Sequence, residues 1–521
     1  MAHTSLPRPV PPRSAVRLLW RIVIVLVALC LPGWSRQPST ADASDGWQSL
    51  AEGIEYRAFV LPGPVRAYVA RLDRSNPHAT LDTMAPRGDP PRYTETVSNM
   101  ASRYHEALNT WEGTWGGRNQ VVAAINGNFF NPDSGAPDGG QVQSGELRGW
   151  VGLPVGVVSF GLTLDRQVHL GQCVFLPPDK ARLTLLSSGL SLPIDGFNIP
   201  PERLELVVYT PQFTRESPGR EDRLEIVIEM TRPALSLSAP RSVVGMVRAV
   251  RDGRGPYTIP FDHIVLSVAG EVRAVLERTT LVGRRIGISH ELVDLGPACQ
   301  APTGDDWVKT YAALSGGFAF LRAGQVYTTD QPGADVQDPR TAVCFNDTSV
   351  FFVVVDGRQP EWSLGMTIGE LAGFCQDTLG ATWGINLDGG GSSTMWVNGL
   401  VTNRPSDGSE RRVANGLMML VHQAPQFSST FTARQSISVT QRASLLQGPG
   451  SNYPVRAALP AGIRGVVMQP IHLINGVLAK GSFWWQVGFG LTTGWVPEDA
   501  LASASQDTAQ PMPEVWQAAT P

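Results

Sequence analysis

Between Trp383 and Val397 the chain sets one carboxylate, Asp388, at the end of a short apolar run and follows it with Gly389, Gly390, Gly391, Ser392, Ser393 and Thr394. Glycines accept positive φ and let a ligand approach main-chain N–H groups, and successive N–H groups of such a turn can form an anion-binding nest. An acid beside an anion cradle, flanked by hydroxyls, is an arrangement that could do catalysis. The familiar glycine motifs do not fit. A P-loop needs Gly-Lys-Ser/Thr, and no Lys is present. A dinucleotide fingerprint needs a helix directly after the glycines, whereas Met395 to Val397, Asn398-Gly399 and Leu400-Val401 read as strand, two-residue turn, strand. A nucleophile elbow fails because Thr394 stands where its last Gly belongs.

The elements around this loop predict where it sits. The continuous apolar run Ser349 to Val355 reads as a strand buried on both faces and ends at Asp356-Gly357-Arg358. Thr367 and Glu370 form a capping-box pair. Ile368, Leu371, Ala372, Cys375 and Leu379 follow at helical spacing, and Gly380 is a stop signal. The next strand, Trp383 to Leu387, ends at Asp388. Strand, helix, strand predicts a right-handed parallel crossover. That unit places Asp356 and Asp388 at one carboxyl edge, where open α/β sheets bind ligands.

Upstream, Val65 to Leu72 alternates like a strand, and Thr94 to Tyr104 reads as helical. Val121 to Ile125 is an apolar strand ending at Asn126-Gly127-Asn128. Phe129-Phe130 lead into a polar loop holding Asn131, Asp133, Ser134 and Asp138, oxygens of the kind hard cations favour. Position twelve counted from Asn131 is Val142 rather than Glu, so no metal ligand is assigned. No cofactor is expected, and a divalent cation has only that loop in its favour. Leu204 to Tyr209, Leu224 to Glu229 and Ile264 to Val268 read as strands, with Ala269-Gly270 and Ala323-Gly324 as tight turns.

Across 521 residues, 42% are hydrophobic and 17% charged, enough for two or three domains with a sizeable core. A formal net charge of −4 disfavours a nucleic-acid partner. Arg13, Arg17 and Arg21 precede an apolar run, Ile22 to Leu31, broken at Pro32. This is the pattern of an export signal, shorter than the ~20 residues of a firm membrane span. Membrane contact is expected only if that segment is retained. Cys173, Cys299, Cys344 and Cys375 allow three pairings, or stay as buried thiols.

The segment Asn386 to Ser393, with Asn403-Arg404-Pro405 and Arg411 to Asn415 downstream, resembles the phosphodiester glycosidase family. Further matching motifs are Ile125 to Phe130, Ser315-Gly316-Gly317, Pro339 to Ala342 and Asp356-Gly357. The resemblance implies a hydrolase cutting the glycosidic bond of a sugar-1-phosphodiester, through an oxocarbenium-like transition state. It implies Asp388 as base or nucleophile, with Asp356 second. Arg340, with its planar fork, would hold phosphate, helped by N–H groups from Gly389 to Ser392. Asn126 and Asn128 would orient sugar hydroxyls. Gly127, Thr341, Ser393, Asn403 and Arg411 complete the substrate-binding positions.

Near the C-terminus, Ala443 to Tyr453, Gly462, Trp484 to Val487 and Gly494-Trp495-Val496 resemble a bacterial SH3-like domain, which implies a cell-wall or protein ligand. The expected layout is a signal or anchor at 1–36, a linker at 37–53 and a phosphodiester glycosidase domain at 54–422. A second linker at 423–435, an SH3-like β-barrel at 436–503 and a tail at 504–521 follow. The expected fold class is α+β: mixed, strand-rich, with a βαβ unit near the end of the catalytic domain. The expected protein is extracytoplasmic, acting on a cell-surface or extracellular glycan. The alternative is a non-catalytic wall- or glycan-binding protein in exopolysaccharide assembly.

Overall fold

The computed structural model describes residues 46–87, 94–111, 114–148, 158–232, 243–296, 299, 301, 303–304, 307, 309–315, 317–327, 331 and 333–504. The N-terminal export pattern and the tail from 505 onward lie outside the described residues.

The apolar run Ser349–Val355 shows how the central layers form. Its residues alternate between two cores, as the period of two in a strand requires. Val350, Phe352 and Val354 enter one core with Ile125, Leu417 and Met419. Phe351, Val353 and Val355 enter another with Ile368, Leu371 and Cys375. Each such side chain, fully buried, contributes about 1.5–3 kcal/mol. The strand therefore lies in an eight-stranded sheet covered on both faces. A five-stranded sheet built on Arg118–Asn126 and Gly416–Gln423 packs against one face. The helix Ile368–Gly373, continued as a π-helical turn Phe374–Thr378, covers the other. The helix Val97–Tyr104, capped by Thr96, covers the outer face of the five-stranded sheet. The result is a helix–sheet–sheet–helix sandwich.

The strand–helix–strand crossover is present with one correction. Ser349–Val355 and Trp383–Asn386 are not neighbours; Arg340–Phe345 lies between them, antiparallel to both. That strand is joined to Ser349–Val355 by a short turn, and a hairpin partner close in sequence takes the central place. The two outer strands still run the same way. Asp356 and Asp388 thus share one sheet edge, with Arg340 and Thr341 opening the strand between them.

The Thr367 capping box forms as expected, and Asn398 and Gly399 both take positive φ in the expected hairpin. Ala323-Gly324 is a tight turn between paired strands. Ala269-Gly270 is not: it opens a helix, Gly270–Thr279, whose single buried residue, Leu276, left almost no apolar period to read. The strand Gln48–Ala51 lies inside the stretch expected to be linker.

A second eight-stranded sheet, drawn from residues 182–289, is inserted into the sandwich with its own core. Its neck is a short ladder, Val174–Phe175 on Val293–Asp294, beside the Cys173–Cys299 disulfide. The other pair, Cys344–Cys375, ties the central strand to the π-helical turn. Residues 436–503 form a third eight-stranded sheet around Ile437, Trp485, Val487 and Phe489. No helix of the described residues is long and apolar enough to cross a membrane.

Candidate active site

Asp388 leaves the end of Trp383–Asn386 with its backbone held on both sides. Its N–H donates to the Gly127 carbonyl at 3.0 Å, and its carbonyl accepts from Asn126 Nδ2 at 2.7 Å. The glycines that follow make a single 3-10 turn, Gly390–Ser392. Gly389 must be glycine because a Cβ there would stand 2.7 Å from the Pro339 carbonyl oxygen. Gly390 has φ +58°, in the left-handed region.

The expected nest is not formed by this turn. The amides of Gly390, Ser392 and Ser393 donate to the carbonyls of Pro339, Gly389 and Gly390. The loop's product is the position of Asp388. Its carboxyl group faces an open pocket of about 370 Å³, lined also by Phe129, Phe130, Pro132 and Arg411. Burial pushes its pKa up to about 6, against the Ser392 hydroxyl, the Arg411 charge and the Gly389 amide, which lower it, while the nearby Asp138 raises it. A carboxyl group in that range can exchange a proton near neutral pH. Arg411 pairs with Asp407 through Nε at 2.9 Å and Nη2 at 2.7 Å, and its Nη1 donates to the Ser392 hydroxyl at 3.4 Å. Its side chain is 41% exposed, which leaves it able to meet an anion.

Asp356 shares the sheet edge but not the situation. It is buried, 1% exposed, and its two oxygens accept from Tyr68 Oη (3.0 Å), Trp362 Nε1 (2.8 Å), Asn403 Nδ2 (3.0 Å) and the Arg404 amide (3.0 and 3.1 Å). Burial raises its pKa, and these donors oppose the rise. Its oxygens are occupied by the protein.

Arg340 is likewise committed. Nε donates to the Met366 carbonyl at 2.8 Å, and Nη2 to those of Gly333 (2.8 Å) and Val336 (2.6 Å). The fork that suggested phosphate binding instead fastens a loop beside the sheet. Asn126 accepts from the Thr341 hydroxyl at 2.8 Å and the Thr394 amide at 3.1 Å, so it braces the glycine loop. Thr341 also reaches Ser393 at 3.2 Å. Asn403 receives the Met395 amide and donates to both Asp356 and the Ser393 carbonyl. Asn128 is buried; its amide N–H donates to Asn415 and its Nδ2 to the Asp138 carbonyl, while Oδ1 has no partner. Gly127 lies against the Asn415 side chain, with no room for a Cβ.

The sequence positions therefore separate into two groups. Asp388 and Arg411 line the pocket, and the buried Ser392 hydroxyl bonds to both. Asn126, Thr341, Ser393, Asn403 and Asp356 form a hydrogen-bonded frame beneath it. Three residues beside Asp388 carried no predicted catalytic or substrate-binding role. Phe129 and Phe130 wall the pocket, and Gly317 makes room for the Phe129 ring. Asp138 sets a second carboxylate near Asp388. The aromatic pair directly after Asn126-Gly127-Asn128 was the available signal. The polar loop turns Asn131 Oδ1 inward, onto the amides of Asp133 and Ser134.

Residues 284–420 match the phosphodiester glycosidase family model. The matched stretch carries Arg340, Asp356, Asp388 and Arg411. No curated protein matches the chain by sequence. Among solved structures, a hypothetical protein from Synechocystis is 17% identical, with a TM-score of 0.47 over 71% of this chain and 62% of its own length. A candidate exported protein from Burkholderia pseudomallei is 22% identical, with a TM-score of 0.45 over 68% of this chain and 74% of that one. The zebrafish N-acetylglucosamine-1-phosphodiester alpha-N-acetylglucosaminidase catalytic domain, auto-inhibited by its pro-peptide, is 15% identical, with a TM-score of 0.36 over 71% and 84%. This chain thus spans about three fifths of the Synechocystis protein.

Proposed function

We propose that the protein hydrolyses the glycosidic bond of a sugar-1-phosphodiester, with Asp388 in the chemical step. The observation that carries this reading is Asp388 itself: a carboxyl group raised to about 6, open to a pocket and facing Arg411. The family match over residues 284–420 supports the reaction class.

In this reading the sugar packs against Phe129 and Phe130, and Arg411 takes the phosphate. The bond between C1 and the phosphate oxygen breaks, and the electron pair leaves with a phosphate monoester. Phosphate is a good leaving group and needs little protonation, so one ionised carboxylate suffices. Asp388 either takes a proton from the water that attacks C1 or attacks C1 itself before water releases the sugar. The phosphate-holding role passes from Arg340 to Arg411, since Arg340 gives Nε and Nη2 to main-chain carbonyls and Arg411 lines the pocket beside Asp388. Export, and with it a cell-surface or extracellular glycan as substrate, is part of the proposal; the two disulfides support an oxidising compartment. Wall binding by the C-terminal unit is not part of it, because Tyr453, Trp484 and Trp495 pack against Phe261 and Trp115 of the rest of the chain, while Trp485 and Phe489 lie in the unit's own core.

The test is a panel of sugar-1-phosphodiesters assayed for monoester release, with the anomer of the freed sugar read by proton NMR. Retention points to Asp388 as nucleophile and inversion to Asp388 as base. A folded wild-type protein that releases monoester from no member, yet cleaves simple glycosides, would refute the reading.

A further inference from the structure

The C-terminal unit carries a cluster of aromatic rings, and a corner of the inserted sheet region fills it. Phe261, 7% exposed, belongs to the inserted sheet region. Its ring meets those of Tyr453 (6.0 Å between centroids), Trp495 (5.4 Å) and His472 (5.7 Å) of the C-terminal unit, and Trp115 (5.5 Å) of the sandwich. Leu446, Ile474 and Trp484 complete the apolar cage. The Phe261 amide donates to the Gln447 carbonyl at 3.4 Å.

The next residue makes the contact specific. Asp262 is 1% exposed and accepts from His472 Nε2 at 2.7 Å across the contact, and from His263 Nδ1 at 2.7 Å on its own side. Burial opposes its ionisation, but the two histidines outweigh that and hold its carboxyl well below the usual range. Beside it, Glu229 accepts the Ile471 amide at 3.1 Å and pairs with Arg248. Glu229, Asp262 and His472 have ligand-capable atoms within 4.8 Å of one another, which raises the question of a metal. The hydrogen bonds argue against one. His472 Nδ1 accepts the Ile474 amide at 3.2 Å, so Nε2 carries the proton it gives to Asp262. A histidine ligating through Nε2 would need its proton on Nδ1, facing that amide.

We propose that the aromatic cleft of the C-terminal unit is a peptide-recognition surface whose ligand is this chain's own Pro260-Phe261-Asp262 corner. The turn closed by the His263 amide on the Pro260 carbonyl presents the corner, the aromatic ring fills the cage, and the carboxylate is read by His472. Those are the elements of a short-peptide site, supplied here in cis at high effective concentration. Next to Ala479 of the same cluster, Lys480 Nζ donates to the carbonyls of Ser102 (3.0 Å) and His105 (2.6 Å), at the end of the helix over the five-stranded sheet. The unit is a clamp joining the inserted sheet to the sandwich, and the cleft is closed to outside ligands while the clamp holds.

The test uses the full chain and a labelled peptide spanning residues 256–264. In the Phe261→Ala/Asp262→Asn variant the cleft is vacated, and the peptide binds at least about tenfold more tightly than to wild type, a shift of about 1.4 kcal/mol. Limited proteolysis at the exposed stretch 424–427 rises by a similar factor in the same variant. His472→Ala approaches from the other side: it leaves the corner intact, raises the cleavage and does not recover peptide binding. If the double variant fails to fold, His472→Ala decides by cleavage alone. Equal peptide binding by wild type and double variant, or wild-type protection in a folded His472→Ala protein, overturns the proposal.

Discussion

Two aspartates end two strands of one sheet at the same edge, and the structure treats them oppositely. Asp356 is surrounded by donors and is 1% exposed. Asp388 is half-buried, keeps few partners and faces a pocket. The lesson is that a carboxylate's position at a strand end does not set its role. The number of hydrogen bonds already offered to its oxygens does. A saturated carboxylate organises its surroundings, while an under-satisfied one beside a pocket is available to a substrate.

The widest separation between the two is expected on substitution to Asn. Asp388→Asn should lower turnover of a sugar-1-phosphodiester by ~10²–10⁴-fold without lowering the melting temperature at pH 7. Near-normal turnover would remove Asp388 from the chemistry. Asp356→Asn should do the reverse. Its amide would point donor hydrogens at some of the donors that now meet a carboxylate, costing about 2–3 kcal/mol of stability. Protein that remains folded should keep turnover within a few-fold. A variant as stable as wild type with turnover abolished would make Asp356 the reacting group and invert the comparison.

Arg411 sharpens the same contrast from the substrate side. Arg411→Gln should raise KM for the phosphodiester about tenfold or more and leave a neutral sugar inhibitor nearly unaffected. It should also move the acid limb of the pH profile upward, because the positive charge that favours ionised Asp388 is gone. An equal loss for charged and neutral ligands would mean that Arg411 shapes the pocket rather than holding phosphate.

The smallest effect is one of stability and pH. The pKa of Asp388 is raised in the folded state, so its contribution to stability is fully present below the unfolded value and is lost as pH rises through about 6. Asp388→Asn should therefore melt higher than wild type at pH 8, by on the order of 1–2 kcal/mol after allowance for its exposure, and the gain should disappear below about pH 4. If Asp388 acts as base or nucleophile, wild-type kcat/KM falls below about pH 6. Activity that instead disappears above that pH would mean it acts as an acid.

Much of the site's placement was legible in the chain. The run Ser349–Val355 is apolar at every position after Ser349 because both its faces are covered, and the Thr367–Glu370 pair marks its helix start. Those local patterns are enough to bring Asp356 and Asp388 to one edge. The intervening strand Arg340–Phe345 was hidden because its sequence reads as a motif rather than as a hairpin partner. The helix Gly270–Thr279 was hidden because it buries one residue.

What the sequence determined by itself was therefore periodic and local: strands, caps, the hairpin turn and the glycine loop's position after an acid. What only the tertiary structure decided was which polar groups were already occupied. Arg340 reaches carbonyls at Gly333, Val336 and Met366. Asp356 receives donors from Tyr68 and Asn403, each more than forty positions away. Arg411 comes to Asp388 across the pocket. Hydrogen-bond satisfaction is a short-range, directional property of atoms that folding brings together from distant positions. No spacing along the chain encodes it, and so the residue types for chemistry could be read in advance while the division between those that react and those that hold could not.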